Sequence, residues 1–251
     1  MAGAAVLGRL TWRVSTVASV RDETATARTI TLKVPGWPGH RAGQHVDVRL
    51  TAADGYSAQR SYSIASAPGG DEIELTVQRL SDGEVSPYLT QVLAAGDLVE
   101  LRGPIGGWFV WEPAPAPVLL VAGGSGVVPL MAMIRARAAA GTHSPFRLVY
   151  SVRGPDDALY AAELAERQRG DDGFQIAYVY TRTAPAGWPD PPGRIGAGAL
   201  TAAGWTPDRN PAVFVCGPTG FVEAAANLLV NAGHDARTIK TERFGPSGGQ
   251  S

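Results

Sequence analysis

The sequence predicts an antiparallel β-barrel followed by a doubly wound α/β domain with a parallel sheet. In the first part of the chain, short segments alternate apolar and polar residues, as half-buried strands do. In the second part, short apolar runs alternate with longer helical patterns, which is typical of a parallel sheet covered by helices on both faces. The change falls in the proline-rich segment 111–117, WEPAPAP, which has the composition of a short stiff linker. We therefore expect two domains, 1–113 and 114–251.

The barrel is predicted from six strand-like segments separated by turn residues. In chain order they are WRVSTVASV, RTITLKV, HVDVRL, RSYSIAS, EIELTVQR and DLVELRG. A helix is expected in SPYLTQVLAAG, between the last two of these strands. Ser86 is predicted as its N-cap and Pro87 as its first helical residue, and Gly96 follows its end. This set of short strands indicates an antiparallel barrel.

The second domain is predicted to contain four apolar strands and three helices. The strands are VLLVA, FRLVYSV, FQIAYVY and AVFVC, and the helices are VVPLMAMIRARAA, DALYAAELAERQ and GFVEAAANLLVNAG. Their alternation predicts a doubly wound sheet, which binds ligands outside the carboxyl ends of its strands.

The composition favours a small-molecule site over a charged macromolecular partner. The 251 residues carry 22 Lys and Arg against 23 Asp and Glu, a net charge of -1. This balance gives no electrostatic attraction to nucleic acid or to an anionic membrane surface. No segment approaches the length of a membrane span, and no basic stretch precedes the apolar run at the amino terminus. Neither membrane insertion nor secretion is therefore expected.

The cysteine and histidine content argues against a metal site. The single cysteine, Cys216, cannot form an intramolecular disulfide or a cysteine metal cluster. It fits a reducing compartment, so we expect a cytoplasmic protein. The four histidines, His40, His45, His143 and His234, are scattered along the chain and are predicted at the surface or in turns.

A glycine-rich turn follows the first strand of the second domain. In VLLVAGGSGVVPL, a buried strand runs into Gly124, Ser125 and Gly126 and then into a helix. Backbone amides at such a helix start can face an anion without an intervening Cβ. Pro129 stands where the third glycine of the usual dinucleotide fingerprint would be, so the motif is partial. A glycine-rich βα turn without a ligand is the alternative.

The next two strands indicate which nicotinamide nucleotide the domain prefers. The second strand ends in Ser151 and Arg153, where an acidic residue would suit the free ribose hydroxyl of NAD. The third strand ends in YVYTRT, which places Arg182 at the same edge of the sheet. Two guanidinium groups can clamp the extra phosphate of NADP, so NADPH is favoured and NADH stays open. Solvated loop charges are the alternative for both arginines.

The fourth strand ends in a sharp turn at the same carboxyl edge. Cys216 closes a strictly apolar segment, and Gly217 and Pro218 form the turn. This places the thiol at the mouth of the expected crevice. A buried small hydrophobic residue is the alternative interpretation of Cys216.

The barrel carries a second signal for phosphate binding. Strand alternation sends Arg60 and Tyr62 to one face of RSYSIAS and Ser63 to the other. Gly83 and Ser86 precede the predicted helix, whose free amides and dipole would attract an anion that Arg60 could also meet. A barrel strand with one wet face, followed by an ordinary capped helix, is the alternative.

Six motifs together resemble the ferredoxin-NADP reductase superfamily. They are RSYS (60–63), GEVS (83–86), GPIGGWF (103–109), GGSGVVP (123–129), CGP (216–218) and ERF (242–244). They occur in order over nearly the whole chain, on the two-domain arrangement predicted above. The resemblance implies an FAD held by the barrel, a nicotinamide nucleotide held by the second domain, and hydride transfer in the cleft. FMN in place of FAD stays open, because no sequence feature marks the adenine site.

The resemblance also implies roles for the barrel residues. Arg60 would pair with the flavin pyrophosphate, and Tyr62 would pack against the isoalloxazine or the ribityl chain. Ser63 would hydrogen-bond near flavin N5. Ser86, with Gly83 and neighbouring amides, would complete the phosphate site. The flavin performs the chemistry, and the protein aligns it with the nicotinamide and excludes water.

In the second domain, the same resemblance assigns Gly124 and Gly126 to the approach of the nicotinamide nucleotide. Cys216 would lie beside the nicotinamide ring, and Phe244 would cover the flavin until the ring displaces it. Glu242 would tune flavin protonation, with a plain surface carboxylate as the alternative.

The sequence departs from many relatives of this superfamily in the absence of the cysteine cluster of a fused iron-sulfur domain. A flexible tail, GPSGGQS, is expected after Phe244. We therefore expect electrons to pass to a separate redox protein such as a ferredoxin. The alternatives are reduction of free flavin, a ferric chelate or a quinone, and a docking module that binds nucleotide without turnover.

Overall fold

Residues 10–245 are described by a computed structural model, which contains two sheets. The first sheet is antiparallel, with the strand order β4-β3-β6-β1-β2-β5. Its strands are β1 (Trp12–Thr24), β2 (Ala27–Lys33), β3 (His45–Thr51), β4 (Ser57–Ser63), β5 (Glu72–Gln78) and β6 (Leu98–Ile105). An isolated bridge between Ile64 and Leu75 brings the two outer strands together. The predicted barrel is therefore confirmed.

The barrel core follows from the alternation of its strands. On β3, Val46 and Val48 point inward and are fully buried, and they pack with Ile30, Leu75 and Leu101 from neighbouring strands. Burial of side chains of this size contributes roughly 1.5–3 kcal/mol each.

The helix of the barrel is shorter than predicted. Helix α1 spans Ser86–Gln91, and its N-cap is Val85. Ser86 was therefore wrongly predicted as the cap: it is the first helical residue, and its Oγ accepts a hydrogen bond from the backbone N–H of Leu80 (3.0 Å). Gly96 does not follow the helix directly, because α1 stops at Gln91.

The second sheet is parallel, with the strand order β11-β10-β7-β8-β9. Its strands are β7 (Val118–Gly123), β8 (Phe146–Val152), β9 (Phe174–Tyr180), β10 (Ala212–Pro218) and β11 (Ile239–Phe244). The helices are α2 (Val127–Ala139), α3 (Ala161–Gly170), α4 (Ala197–Ala203) and α5 (Thr219–Asn231). Sequence reasoning missed β11 and α4. Strand β11 carries four consecutive polar residues between Ile239 and Phe244, and α4 is only seven residues long.

Helices cover both faces of this sheet, as predicted. Leu120 of β7 packs with α2 and α3 on one face, whereas Leu119 packs with α4 and α5 on the other. Helix α2 is buried at ten of its 13 positions because it lies between the sheet and the barrel. A helix that is apolar nearly all round is expected in such a position.

The two domains share one hydrophobic cluster. Phe109 of the barrel meets Phe214 of β10 edge to face, with ring centroids 5.5 Å apart. Trp111, at the start of the proline-rich segment, meets Phe146 of β8 in the same way at 5.1 Å. The predicted boundary after residue 113 stays a prediction, and residues 246–251 of the predicted tail lie outside the described residues.

Two of the histidines are not at the surface, contrary to the prediction. His40 is buried, accepts a hydrogen bond from Trp37 Nε1 (3.3 Å), and lies 3.2 Å from the carbonyl of Ser66. Burial lowers the pKa of its imidazole. His234 is also buried. Within residues 10–245, no group of three or more His, Cys, Asp or Glu side chains could hold a metal. Over the same range, no helix is long and apolar enough to cross a bilayer.

Candidate functional site

The edge strand β4 presents its two predicted ligand-binding side chains on its inner face. Tyr62 lies opposite Val46 and Arg60 opposite Val48 in the antiparallel register. Both valines belong to the barrel core, so Arg60 and Tyr62 lie on the core side of this edge strand, where Tyr62 packs half-buried against the core and Arg60 stays 55% exposed. Burial raises the pKa of the Tyr62 phenol to about 12, so the ring is neutral at physiological pH.

The opposite face of β4 is polar for a structural reason. Ser61 donates a hydrogen bond to Asp47 Oδ1 (2.6 Å), and Arg102 donates to the other oxygen of the same carboxylate (2.6 Å). Ser63, which closes the strand, lies opposite His45. The alternation predicted for this strand therefore places Arg60 and Tyr62 on one face and Ser61 and Ser63 on the other.

Arg60 is paired with a carboxylate that sequence reasoning missed. Its Nη2 lies 3.2 Å from Glu84 Oε2, and the Tyr56 hydroxyl donates to Glu84 Oε1 (2.7 Å). Glu84 stands inside the GEVS motif, between Gly83 and the start of α1. The ion pair shows that Arg60 reaches the loop that was predicted to hold phosphate. The glutamate in the GEVS motif is the sequence feature that could have indicated this ion pair.

The loop before α1 is tightly folded. A Cβ at Gly83 would stand 2.9 Å from Ser86 Oγ and 3.2 Å from the carbonyl oxygen of Leu80. Gly83 therefore allows the loop to close on Ser86, and Ser86 holds it there through the Leu80 N–H. The structure thus places Arg60, Gly83 and Ser86 around one turn, as predicted.

In the second domain, the glycine turn packs directly against the end of β10. Residues 124–126 form a short 3-10 turn between β7 and α2. Gly124 has φ +53°, a left-handed conformation that favours glycine, and a Cβ there would meet open space. A Cβ at Gly126 would stand 2.1 Å from the carbonyl oxygen of Cys216. Only glycine lets these two backbones touch. Ser125, between them, is half-buried.

Five predicted residues meet at the carboxyl ends of β10 and β11. Cys216 lies opposite Glu242 in the parallel register, and Pro218 lies opposite Phe244. Gly217, between Cys216 and Pro218, is buried. The ring of Phe244 is half-buried against the shared hydrophobic cluster.

Burial sets the protonation states of Cys216 and Glu242. Burial raises the pKa of the Cys216 thiol well above its usual range, and the nearby Glu242 carboxylate raises it further, so the thiol is neutral. Burial also raises the pKa of Glu242 to about 7. Glu242 Oε2 is one of three buried side-chain atoms without a hydrogen-bond partner among the described residues. A buried carboxyl without a partner at the mouth of a crevice is typical of a functional site.

The two predicted arginines lie side by side at the ends of β8 and β9. The backbone N–H of Arg182 donates to the carbonyl of Arg153 (2.9 Å), and both side chains are exposed. Neither forms an ion pair in the part of the chain that the structure describes. Ser151 is buried at the end of β8. Two free cations are therefore available at this edge of the sheet.

An aromatic group next to these arginines was not predicted. Tyr178 and Tyr180 of β9 stack with ring centroids 5.7 Å apart and an interplanar angle of 7°. Trp188 meets Tyr180 edge to face at 4.9 Å. The alternate tyrosines of YVYTRT were the signal in the sequence.

The barrel motifs and the glycine turn meet between the domains. The glycine turn lies against β5. Leu75 of β5 forms the bridge to Ile64, the residue after Ser63. The end of β4 and the glycine turn, which contacts the Cys216 carbonyl, therefore both lie beside β5.

Comparisons with known proteins follow the same division. The sequence pattern of the oxidoreductase FAD-binding domain matches residues 11–110, and that of the oxidoreductase NAD-binding domain matches residues 120–227. The chain is 36% identical over 210 residues to ferredoxin-NADP reductase B of Sorangium cellulosum, covering 81% of this chain and 84% of that protein.

It is also 32% identical over 209 residues to the glycine betaine monooxygenase reductase subunit of Chromohalobacter salexigens, covering 82% of this chain. The match spans only 56% of that longer relative. Among solved structures, the flavohem-like FAD/NAD-binding domain of nitric oxide dioxygenase from Vibrio cholerae matches with a TM-score of 0.82 and 25% identity. That match covers 93% of this chain and 99% of the Vibrio domain.

Proposed function

The chain belongs to the ferredoxin-NADP reductase family, and from that premise we propose that it takes hydride from NADPH onto FAD and passes the electrons to a separate redox protein. The family that the six motifs indicated is confirmed, and with it an oxidoreductase with FAD-binding and NAD(P)-binding domains. The observation that supports the proposal is that β5 contacts the glycine turn, which touches the Cys216 carbonyl, and is also bridged to Ile64, the residue after Ser63.

The barrel residues fit FAD. Arg60 supplies an exposed cation beside a turn closed by Gly83 and Ser86, which suits a pyrophosphate. Tyr62 supplies a neutral aromatic surface at the open edge of the barrel, which suits the isoalloxazine or the ribityl chain. Ser63 places a hydroxyl group at the end of the strand, which would hydrogen-bond near flavin N5.

The second domain fits a nicotinamide nucleotide. The open space at the Cβ position of Gly124 leaves room for a ligand at the glycine turn, and the close contact at Gly126 holds that turn against β10. Glu242 Oε2 lacks a partner, and a carboxamide N–H could supply one. Cys216 lies beside Glu242 as a neutral thiol, and Phe244 lies on β11 opposite Pro218.

When bound, FAD and the nicotinamide nucleotide would supply the chemistry, which is hydride transfer from the reduced nicotinamide to the flavin. The chain aligns the two rings and excludes water. We assign Ser63, Cys216, Glu242 and Phe244 to that task. Below pH 7, Glu242 holds a proton, so it can donate a hydrogen bond; above pH 7 it accepts one.

The free guanidinium groups of Arg153 and Arg182 support NADPH over NADH. They stand beside Ser151 at the carboxyl edge of the sheet, where the ribose of a bound dinucleotide lies in doubly wound domains. A phosphate between two cations forms charge-assisted hydrogen bonds. The single cysteine supports the cytoplasm as the proposed compartment, because it suits a reducing environment.

The test is an anaerobic stopped-flow mix of the flavin-loaded protein with NADPH and, separately, with NADH. Rapid bleaching of flavin absorbance, faster at low concentrations of NADPH than of NADH, is expected. Arg153→Ala should raise KM for NADPH by an amount equivalent to roughly 1.5–3 kcal/mol and change KM for NADH little. Arg169→Ala, on the exposed side of α3, is the control.

Flavin that stays oxidised with both nucleotides would contradict the reductase. An unchanged nucleotide preference in Arg153→Ala would contradict only the phosphate assignment. The acceptor is tested by adding a ferredoxin, free flavin, a ferric chelate or a quinone to the reduced protein. Faster reoxidation by a small acceptor than by the ferredoxin would indicate that the small molecule, and not a redox protein, is the acceptor.

A further inference from the structure

The interdomain contact contains a polar cluster centred on Arg135 of α2. The Arg135 side chain is only 13% exposed. Its Nη1 donates to the carbonyl oxygen of Ala65 (3.0 Å) and to Glu74 Oε2 (2.6 Å), both in the barrel. Its Nε and Nη2 donate to the two carboxylate oxygens of Glu163 in its own domain (3.1 and 2.6 Å). All three guanidinium nitrogens therefore form hydrogen bonds: Nη1 bonds across the domain boundary, and Nε and Nη2 bond within the second domain.

Tyr160 forms a second part of the same cluster. The Arg135 guanidinium lies 5.2 Å from the centroid of the Tyr160 ring. The Tyr160 hydroxyl donates to Thr76 Oγ1 of β5, and its backbone N–H donates to Glu23 Oε2 of β1 (3.3 Å). Tyr160 has φ +57°, a left-handed backbone conformation that residues other than glycine rarely adopt. Such a conformation persists where several contacts hold it, and it often marks a functional constraint.

The position of Arg135 connects the two cofactor motifs. Helix α2 begins at Val127, directly after the glycine turn, and Arg135 lies eight residues further, about 12 Å along the helix. On the barrel side, Ala65 is two residues beyond Ser63. The hydrogen bond from Arg135 to Ala65 thus ties the helix that carries the glycine turn to the strand end that carries Ser63.

We propose that Arg135 is a positioning residue for hydride transfer. It holds α2 and the glycine turn in register with the end of β4, and so sets how closely the nicotinamide approaches the flavin. This inference rests on the proposed function. Reaction rates between bound groups are sensitive to displacements of about 1 Å, which can cost on the order of 100-fold in rate.

The alternative is that the cluster only stabilises the fold. The chain offers variants that separate the two. Arg135→Met keeps the apolar stem but removes the bonds to both domains. Glu74→Gln weakens only one of the two bonds that Arg135 makes across the domain boundary. Arg167→Met is the matched control, because Arg167 also donates to Glu163 (2.9 and 2.7 Å) but within one helix.

The experiment measures the reduction of bound FAD by NADPH in stopped flow for the wild type and the three variants. At saturating NADPH, Arg135→Met should lower the limiting rate by about tenfold or more, with an unchanged Kd for NADPH. Glu74→Gln should lower it less, and the double variant should be no slower than Arg135→Met. Arg167→Met should match the wild type. FAD content and the rate of reduction by dithionite should be equal in the wild type, the three single variants and the double variant, because neither depends on nicotinamide alignment.

Three results would overturn the proposal. The first is a wild-type limiting rate in Arg135→Met. The second is an equal loss in Arg167→Met, which would indicate stabilisation of α3 rather than alignment. The third is loss of FAD or slower dithionite reduction in Arg135→Met together with Glu74→Gln, which would indicate a structural role. If the wild type itself is not reduced by NADPH or NADH, the proposed function fails instead.

Discussion

The barrel carries exposed charged side chains at its candidate site, whereas the candidate residues of the parallel-sheet domain are buried side chains and glycine backbone. Arg60 and Glu84 are 55% and 51% exposed, and they form a surface ion pair. Cys216 is fully buried, and Gly126 touches its carbonyl oxygen. The barrel side can therefore rearrange when a ligand binds. The other side is fixed by packing before any ligand arrives.

The difference between the two sides predicts different costs of mutation. Changes on the packed side should affect folding and nicotinamide use together. Changes on the exposed side should affect flavin affinity alone. Four variants test this division, in decreasing order of expected effect.

Gly126→Ala should have the largest effect. Its Cβ would lie 2.1 Å from the carbonyl oxygen of Cys216, so the glycine turn or the end of β10 must move. We expect a loss of about 3 kcal/mol in the free energy of unfolding and slow reduction by NADPH, with FAD still bound. Denaturant unfolding and stopped flow measure the two effects. Gly198→Ala, where a Cβ meets open space in α4, is the control, and equal stability of both variants would contradict the close contact.

Arg60→Ala should separate flavin binding from folding. Removing a charge-assisted hydrogen bond to a pyrophosphate costs roughly 1.5–3 kcal/mol of FAD binding. We expect purified protein depleted of FAD, with a weaker Kd by fluorescence titration and little change in stability. Arg49→Ala removes a comparable arginine from the adjacent strand, where it pairs with Glu100 on the outer face. Full flavin retention in Arg60→Ala would contradict the assignment.

Glu242→Gln should make stability less dependent on pH. The folded carboxyl keeps its proton up to about pH 7, whereas the ordinary value is 4.5. The folded state therefore binds more protons between these values, so wild-type stability falls as the pH rises from 4.5 to 7. At pH 8, Glu242→Gln should be more stable by about 2 kcal/mol, and below pH 4.5 the two proteins should be equal. Equal Tm values at pH 8 would contradict the burial of this group, and Glu223→Gln on α5 is an exposed control.

Glu84→Gln should have the smallest effect and the opposite sign. In the structure the Glu84 carboxylate pairs with Arg60, and it would compete with the pyrophosphate for that cation. Exposed ion pairs contribute less than about 1 kcal/mol, so we expect FAD to bind a few-fold more tightly. Fluorescence titration at low ionic strength would show the change most clearly. Weaker FAD binding would indicate that Glu84 contacts the flavin instead.

The same comparison explains what the sequence could predict. Strand periodicity located all six barrel strands, and the apolar run of α2 predicted its bounds correctly. The RSYS and GEVS motifs also predicted that Arg60, Gly83 and Ser86 lie at one turn. Residues on β11 were predicted only through the family resemblance, because a run of four polar residues does not indicate a strand in a parallel sheet.

Contacts between distant segments were beyond sequence reasoning. Arg135 and Glu74 are 61 positions apart, and Tyr160 and Glu23 are 137 apart. Neither pair belongs to a motif, and a charged residue inside an apolar helix pattern predicts a solvated side chain. The buried His40 and His234 were missed for the same reason, since their partners are set by the tertiary fold.

The hydrophobic cluster that Phe109 and Trp111 share with β8 and β10 also bears on how the molecule unfolds. Separating the two domains would expose these rings together with one side of α2. Each half therefore gains much of its stability only in the presence of the other, and heat should melt both in one calorimetric transition. A chimera that joins this barrel to the nucleotide domain of a distant relative would need the matching aromatic contacts, even where every cofactor motif was kept.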